Sequence, residues 1–227
     1  MRIGLYGGSF NPVHNGHLGV ARAALEELAL DRLVVLPAAV SPFKTEEPPK
    51  ESFDRLLLVR AAFNGMEKVI VDDRELRRGG VSYAIDTVRE FGRENEGSEI
   101  FFIIGEDSVA GLPRWKDIDE LRRLCTFKSY PRTRESSTEI RERLVRGEPI
   151  DDLVPPVVAA FLRQGVVYNE DVKMVETILN GLARKGGYCP CRLPKLPEFF
   201  CPCDEFKGQL ADAAYHGLCH CRLYRKP

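Results

Sequence analysis

The 227-residue chain lacks any long uninterrupted apolar run, any excess of one charge and, through most of its length, cysteine. Each absence excludes something. Without about 20 consecutive apolar residues there is no candidate membrane-spanning helix. Thirty-three Lys and Arg face thirty-four Asp and Glu, a formal charge of -1, so no global field draws the chain to nucleic acid or to a lipid surface. Any anion must be held locally. The opening residues Met1-Arg2-Ile3-Gly4-Leu5-Tyr6 contain no basic leader and no small-residue cleavage site, and the expectation is a cytoplasmic protein. What is there, 44% hydrophobic and 30% charged residues, can bury a full core as one large domain, alone or with a small appendage.

The cysteine that is missing elsewhere is concentrated at the end: six of seven lie between Cys189 and Cys221, with Cys125 outside. In a reducing compartment such a cluster points to metal or redox chemistry more than to a disulfide frame. The tail is a separate chemical object. The expected boundary falls near residues 169–171, giving domains over 1–168 and 171–227.

Along the first part, strands and helices alternate by pattern. An apolar strand over 3–5 runs into Gly7-Gly8-Ser9-Phe10-Asn11-Pro12, and apolar residues over 18–28 recur at helical spacing. Strands follow at 33–36, 68–71 and 100–104, helices at 52–63 and 83–91. Ser136-Ser137-Thr138-Glu139 reads as a helix start, and a further helix covers 155–162. This order implies an α/β fold, a Rossmann-like doubly wound parallel sheet with ligands at the carboxyl ends of its strands. Beyond it, apolar residues at helical spacing over 172–182 give one more helix, and the remainder is cysteine, proline and short loops: a small C-terminal cysteine-rich helical and loop domain.

Gly7-Gly8-Ser9-Phe10-Asn11-Pro12-Val13-His14-Asn15-Gly16-His17 lies between the first strand and first helix, where free backbone N–H groups gather round a phosphate. It has no Gly-Lys-Ser/Thr ending, so positive charge is expected from the imidazoles of His14 and His17 and from elsewhere in the chain. A second anion site is offered at the helix beginning near Ser137, where hydroxyls, helix dipole and Arg141 converge. Two such sites suit a triphosphate.

The string resembles the HxGH signature of the nucleotidyltransferase superfamily, and specifically the nicotinate-nucleotide adenylyltransferase family, over about residues 1–168. Ser82-Tyr83-Ala84-Ile85-Asp86-Thr87, Gly105-Glu106-Asp107, Leu112-Pro113-Arg114-Trp115, Ser136-Ser137-Thr138-Glu139-Ile140-Arg141 and Leu153-Val154-Pro155 agree in order. The resemblance implies adenylyl transfer from ATP, with Mg²⁺, to nicotinate mononucleotide. It implies that His14 and His17 contact phosphates, that Ser137, Thr138 and Arg141 hold the far end of ATP, and that Trp115 stacks near the pyridine ring. Asp107 would orient nucleotide hydroxyls; Gly7, Gly8, Ser9, Phe10, Lys44 and Tyr83 complete the nucleotide-binding set. Three features depart from the family pattern: Phe43 where a histidine is usual, Ala84 where threonine is common, and a shortened stretch over 125–135, where the family has a strand and a long loop.

The tail carries Cys189-Pro190-Cys191, Cys201-Pro202-Cys203 and Cys219-His220-Cys221. Single-residue spacing is unlike a zinc ribbon. Six thiols divide as four plus two, four for a [4Fe–4S] cluster and two for a redox disulfide, with zinc as the alternative metal. In this order the motifs resemble the catalytic chain of ferredoxin–thioredoxin reductase. That resemblance implies Cys189, Cys201, Cys203 and Cys219 as cluster ligands, Cys191 and Cys221 as the active disulfide, and His220 as its proton handler. It also implies ferredoxin- and thioredoxin-like partners. Rival readings are transfer to phosphopantetheine, to nicotinamide mononucleotide or of a cytidylyl group, and a first domain that only binds nucleotide while the tail works.

Overall fold

The computed structural model describes residues 1–43 and 52–227. Lys44, expected on the phosphate side, lies outside the described residues. Five parallel strands form the main sheet: β1 (Arg2–Gly8), β2 (Arg32–Pro37), β3 (Val69–Val71), β4 (Glu99–Gly105) and β5 (Thr126–Tyr130), in the order β3-β2-β1-β4-β5. Alternate side chains of a strand face opposite ways. Ile3 and Leu5 therefore enter one apolar layer with Val34, Leu36, Ile100 and Phe102, while Tyr6 enters the other with Leu33, Val35, Phe101 and Ile103. Burial on both faces explains why these strands read as unbroken apolar runs.

One layer is covered by α1 (Asn15–Glu27), α2 (Ser52–Phe63), α7 (Ser137–Arg146) and α8 (Pro156–Gln164), the other by α4 (Ala84–Glu94) and α6 (Ile118–Leu124), with short helices α3 (Arg74–Arg78) and α5 (Glu106–Val109) between. The fold is thus the expected doubly wound sheet. β5, expected to be lost with the shortened stretch, is present and pairs with β4 from Phe101↔Thr126 onward. The economy lies after it, since only residues 131–136 separate β5 from α7. Cys125, just before β5, is buried; its thiol donates to the Leu121 carbonyl at 3.3 Å, and burial pushes its pKa up to about 12.

The end of the chain forms β6 (Val167–Tyr168), α9 (Val172–Arg184), α10 (Asp204–Ala211), β7 (Gly217–Leu218) and β8 (Tyr224–Lys226). An antiparallel sheet of order β6-β8-β7 straddles residues 169–171, Tyr168 pairing with Tyr224. Helix α10 went unanticipated. Its buried Phe206 and Leu210, one helical turn apart, face inward, and Asp204 and Glu205 suit its N-terminus. Phe206 and Tyr224 pack on Phe161 of α8, with ring centroids 6.3 and 5.1 Å away, so the tail shares the core layer of α2 and α8. Asn64, after α2, donates from Nδ2 to the Cys201 carbonyl. Among the described residues no helix is long and apolar enough to cross a membrane.

Gly65 sits beneath the Phe200 ring at φ 80°, and a Cβ there would lie 2.8 Å from that ring, whereas Gly97, at φ 74°, has open space around it. Gly65→Ala is therefore expected to lose about 1–3 kcal/mol more stability than Gly97→Ala in urea melts. Equal losses would mean that the Phe200 contact holds nothing in place.

Candidate active site

Strand order reverses about β1 and β4, and a cavity of about 530 Å³ opens at their carboxyl ends. Gly7, Gly8 and Ser9 form one wall, Ala38 and residues 41–43 another, Tyr83 a third, and Asp107 with Trp115 the fourth. The Trp115 ring is held edge-on by Phe102 and Phe127, both with centroids 5.8 Å away. Phe43, standing where the family has histidine, adds an aromatic neighbour 6.4 Å from Trp115. Such a fixed indole offers a flat face to an aromatic ligand. Lys116 Nζ sits 4.5 Å from the Tyr83 ring centroid and is ion-paired with Asp86 at 3.5 Å.

The loop from β1 to α1 divides its residues between two tasks. Phe10, expected to touch nucleotide, turns its ring into the core instead: it is 2% exposed, edge-on to Tyr6 at 5.5 Å and 4.8 Å from the His17 ring. Its backbone takes the left-handed region, φ 45°, which is what lets the chain reverse while the ring points inward. The Phe10 ring is a floor for His17. The His14 N–H donates to Nδ1 of His17 at 3.1 Å, and the two rings lie 3.7 Å apart. With Nδ1 accepting, a neutral His17 carries its proton on Nε2. Gly16 passes under Thr133, whose Oγ1 would collide with any Cβ there.

Helix α7 closes the far side of this loop. Ser137 Oγ donates to the Pro12 carbonyl at 2.9 Å; Arg141 donates from Nη1 to the Asn11 carbonyl at 2.7 Å and from Nη2 to Thr138 Oγ1 at 3.2 Å. The two expected anion sites therefore border one loop. His14 does not supply positive charge at neutral pH: burial holds its pKa down to about 4, with Arg132 adding to the depression and Glu135 opposing it. In the free protein it is a neutral hydrogen-bonding group.

Two features were missed from sequence. Arg55, on α2, is 2% exposed and donates from Nη1 to the Ser9 and Ala38 carbonyls, both at 2.8 Å, and from Nη2 to the Ala39 carbonyl at 3.3 Å. Ser82 Oγ accepts from the Ala39 N–H at 2.9 Å. An arginine beside Leu56-Leu57-Leu58 was the available signal for the first; the second stands in the segment from Ser82 to Thr87, but nothing local marks its contact with Ala39.

In the tail, Cys189, Cys201, Cys219 and Cys221 are buried, Cys203 is half-buried and Cys191 exposed, all as free thiols. Cys221 lies between Cys189 and Cys219, 3.6 Å from the latter's Sγ, and its hydrogen bonding lowers the pKa of both neighbours. Burial pushes Cys201 up, and its thiol reaches Tyr224 Oη at 3.8 Å. His220 is 4.0 Å from Glu205. Cys189, Cys203 and Cys219 lie within electrostatic reach of Cys201. Among the described residues no group of three or more His, Cys, Asp or Glu is disposed to hold a metal ion.

A parallel sheet with an HxGH loop opening its first helix defines a nucleotidyltransferase of the cytidylyltransferase-like class, and the family model of that description, Cytidylyltransferase-like, matches residues 5–150. A "Probable nicotinate-nucleotide adenylyltransferase" from Methylacidiphilum infernorum (isolate V4) is 35% identical over 187 residues, covering 74% of this chain and 92% of the relative. One of the same name from Shouchella clausii (strain KSM-K16) is 38% identical over 188 residues, covering 75% and 98%. The chain belongs to the nicotinate-nucleotide adenylyltransferase family. A solved Plasmodium falciparum nicotinic acid mononucleotide adenylyltransferase complexed with NaAD aligns with a TM-score of 0.60 at 15% identity, over 72% of this chain and 95% of that one, a likeness of fold.

Between pH 6.5 and about 4 the unfolded chain takes up the His14 proton while the folded chain refuses it, so this group lowers stability as pH falls through that window. His14→Asn, which keeps a helix-capping residue, should flatten the acid limb by up to about 1.4 kcal/mol per pH unit. Urea melts at pH 7, 6 and 5 provide the check; identical slopes in both proteins would rule out a buried neutral imidazole.

Proposed function

We propose that the first 168 residues catalyse adenylyl transfer from ATP to nicotinate mononucleotide, yielding deamido-NAD and pyrophosphate. The observation that carries this reading is the docking of α7 through Ser137 and Arg141 onto the Asn11-Pro12 carbonyls, beside a cavity walled by Trp115. A phosphate-facing edge and a flat aromatic wall thus adjoin one opening. An oxygen of the mononucleotide 5′-phosphate attacks the α-phosphorus of ATP; the new P–O bond forms as the bond to the β-phosphate oxygen breaks, and pyrophosphate leaves with both electrons. No proton has to move for this displacement, so the protein's work is orientation and charge stabilisation.

In this reading His17 Nε2–H and the neutral His14 hydrogen-bond the α-phosphate, Arg141 and the start of α7 hold the departing pyrophosphate, and Asp107 orients a ribose hydroxyl. The start of α7 adds backbone donors whose positions are set before substrate arrives. ATP would arrive as its Mg²⁺ complex, which would lessen the negative charge that Arg141 and the start of α7 have to meet.

For residues 171–227 the reading is a thiol–disulfide domain with a [4Fe–4S] cluster on Cys189, Cys201, Cys203 and Cys219, a redox pair in Cys191 and Cys221, and ferredoxin- and thioredoxin-like partners. The order of the three Cys-x-Cys motifs supports it, and Cys221 Sγ stands 3.6 Å from Cys219 Sγ, a redox thiol beside a cluster ligand. When bound, such a cluster supplies single electrons. Reduction of the Cys191–Cys221 disulfide takes two electrons and two protons, with His220 as the neighbouring proton carrier.

Anaerobically purified protein given ATP, Mg²⁺ and nicotinate mononucleotide should release pyrophosphate, faster than with nicotinamide mononucleotide, and Arg141→Met should lower kcat/KM about 100-fold. ATP binding without turnover on either mononucleotide would leave only a nucleotide platform. Iron and sulfide assayed on the same sample should approach four of each per chain for a [4Fe–4S] cluster, and stoichiometric zinc would displace that reading.

A further inference from the structure

We infer that Arg55 is a positioning residue of the nucleotide site: one buried guanidinium sets the separation of the loops after β1 and β2. This rests on the adenylyl-transfer reading of the cavity. Ser9 and Ala38 line adjoining walls of that cavity, and both carbonyls are bound by the same nitrogen of Arg55 at 2.8 Å, with the Ala39 carbonyl on the other nitrogen at 3.3 Å. A planar fork fixes both distance and angle between the groups it holds, which no single-point donor does. The staple extends further, because Ala38 N–H donates to the Gly8 carbonyl at 2.9 Å and Ala39 N–H to Ser82 Oγ at 2.9 Å. Three walls are therefore linked in series: glycine loop, Arg55, the loop after β2, Ser82 and the start of α4.

Packing alone does not call for this residue. Its neighbours along α2, Leu56, Leu57 and Val59, are buried apolar side chains, and an apolar residue in place of Arg55 would avoid desolvating a cation. What the guanidinium does and an apolar side chain cannot is draw the Ser9 carbonyl toward itself and away from an incoming phosphate. It also places a positive charge behind the glycine loop, in surroundings that screen it poorly. Burial lowers the pKa of the group, the expected cost of keeping a cation there.

The test compares wild type with Arg55→Met and Arg55→Lys, measuring pyrophosphate release, ATP affinity by calorimetry and melting temperature, with assays run well below each melting point. A misplacement of about 1 Å costs about 100-fold in rate, so Arg55→Met should lose about that in kcat/KM and bind ATP about 10-fold more weakly. Arg55→Lys keeps the charge without the fork. It should hold ATP within about 3-fold of wild type yet lose about 10-fold or more in kcat, a split that a purely structural role does not produce. Should Arg55→Met fail to fold, the lysine variant alone decides through that split. Variants that melt lower but turn over and bind ATP like wild type would overturn the inference. A wild-type protein that binds ATP without turnover would sink the adenylyl-transfer reading instead, and Arg55 would then be judged on ATP affinity, where equal values in all three proteins overturn it.

Discussion

The structure depends on one buried parallel strand. β1 pairs with β2 on one edge and with β4 on the other, so chain order runs outward from it in both directions. The connections leaving β1 and β4 must then go to opposite faces of the sheet, and a crevice opens where they part. Gly7 and Gly8 end the strand there, and α1 begins at Asn15 after the turn that follows them. The histidines lie on the loop that leaves that end, and Ser137 and Arg141 lie on a helix that binds the loop's carbonyls.

Those carbonyls explain how a turn with little side-chain mass stays in one conformation. Pro12 and Asn11 are held from α7, Ser9 from α2, and Gly8 from the loop after β2. Three separate elements satisfy backbone acceptors that would otherwise face the anion site. Leaving them unsatisfied would be costly in a buried loop, and directing them inward would repel phosphate. The histidines belong to the same economy: one accepts a backbone hydrogen bond from the other, and the Phe10 ring beneath prevents His17 from turning away.

Helix α2 also joins the two ends of the chain. Its first turns face the nucleotide loops through Arg55, while Phe63 at its end packs edge-on to Phe10 and the following Asn64 holds the Cys201 carbonyl. The cysteine tail therefore rests on the same helix that shapes the site, and its Phe206, Leu223 and Tyr224 complete a core that α8 alone leaves open. Lys226 is itself buried, its ammonium donating to carbonyls at the end of α10, which fixes the last strand.

The sequence by itself determined the elements and the chemistry of the loop. Unbroken apolar runs announced strands buried on both faces, and the string from Gly7 to His17 announced a phosphate turn, because both signals are carried by neighbouring residues. Ser137 and Arg141 were legible for the same reason, as residues one turn apart at a helix start. Tertiary structure alone decided the rest. Phe10 is local to the motif, yet its side chain faces the core because Tyr6, His17 and Phe63 close around it. Arg55 meets Ser9 across 46 positions and Ala38 across 17, and the lowered pKa of His14 follows from its burial. The grouping of the thiols and the fold of α10 likewise depend on contacts with α2 and α8. Spacing along a chain encodes which side chains share a face; it does not encode which distant carbonyl a buried side chain will meet, since that is set by how the layers close.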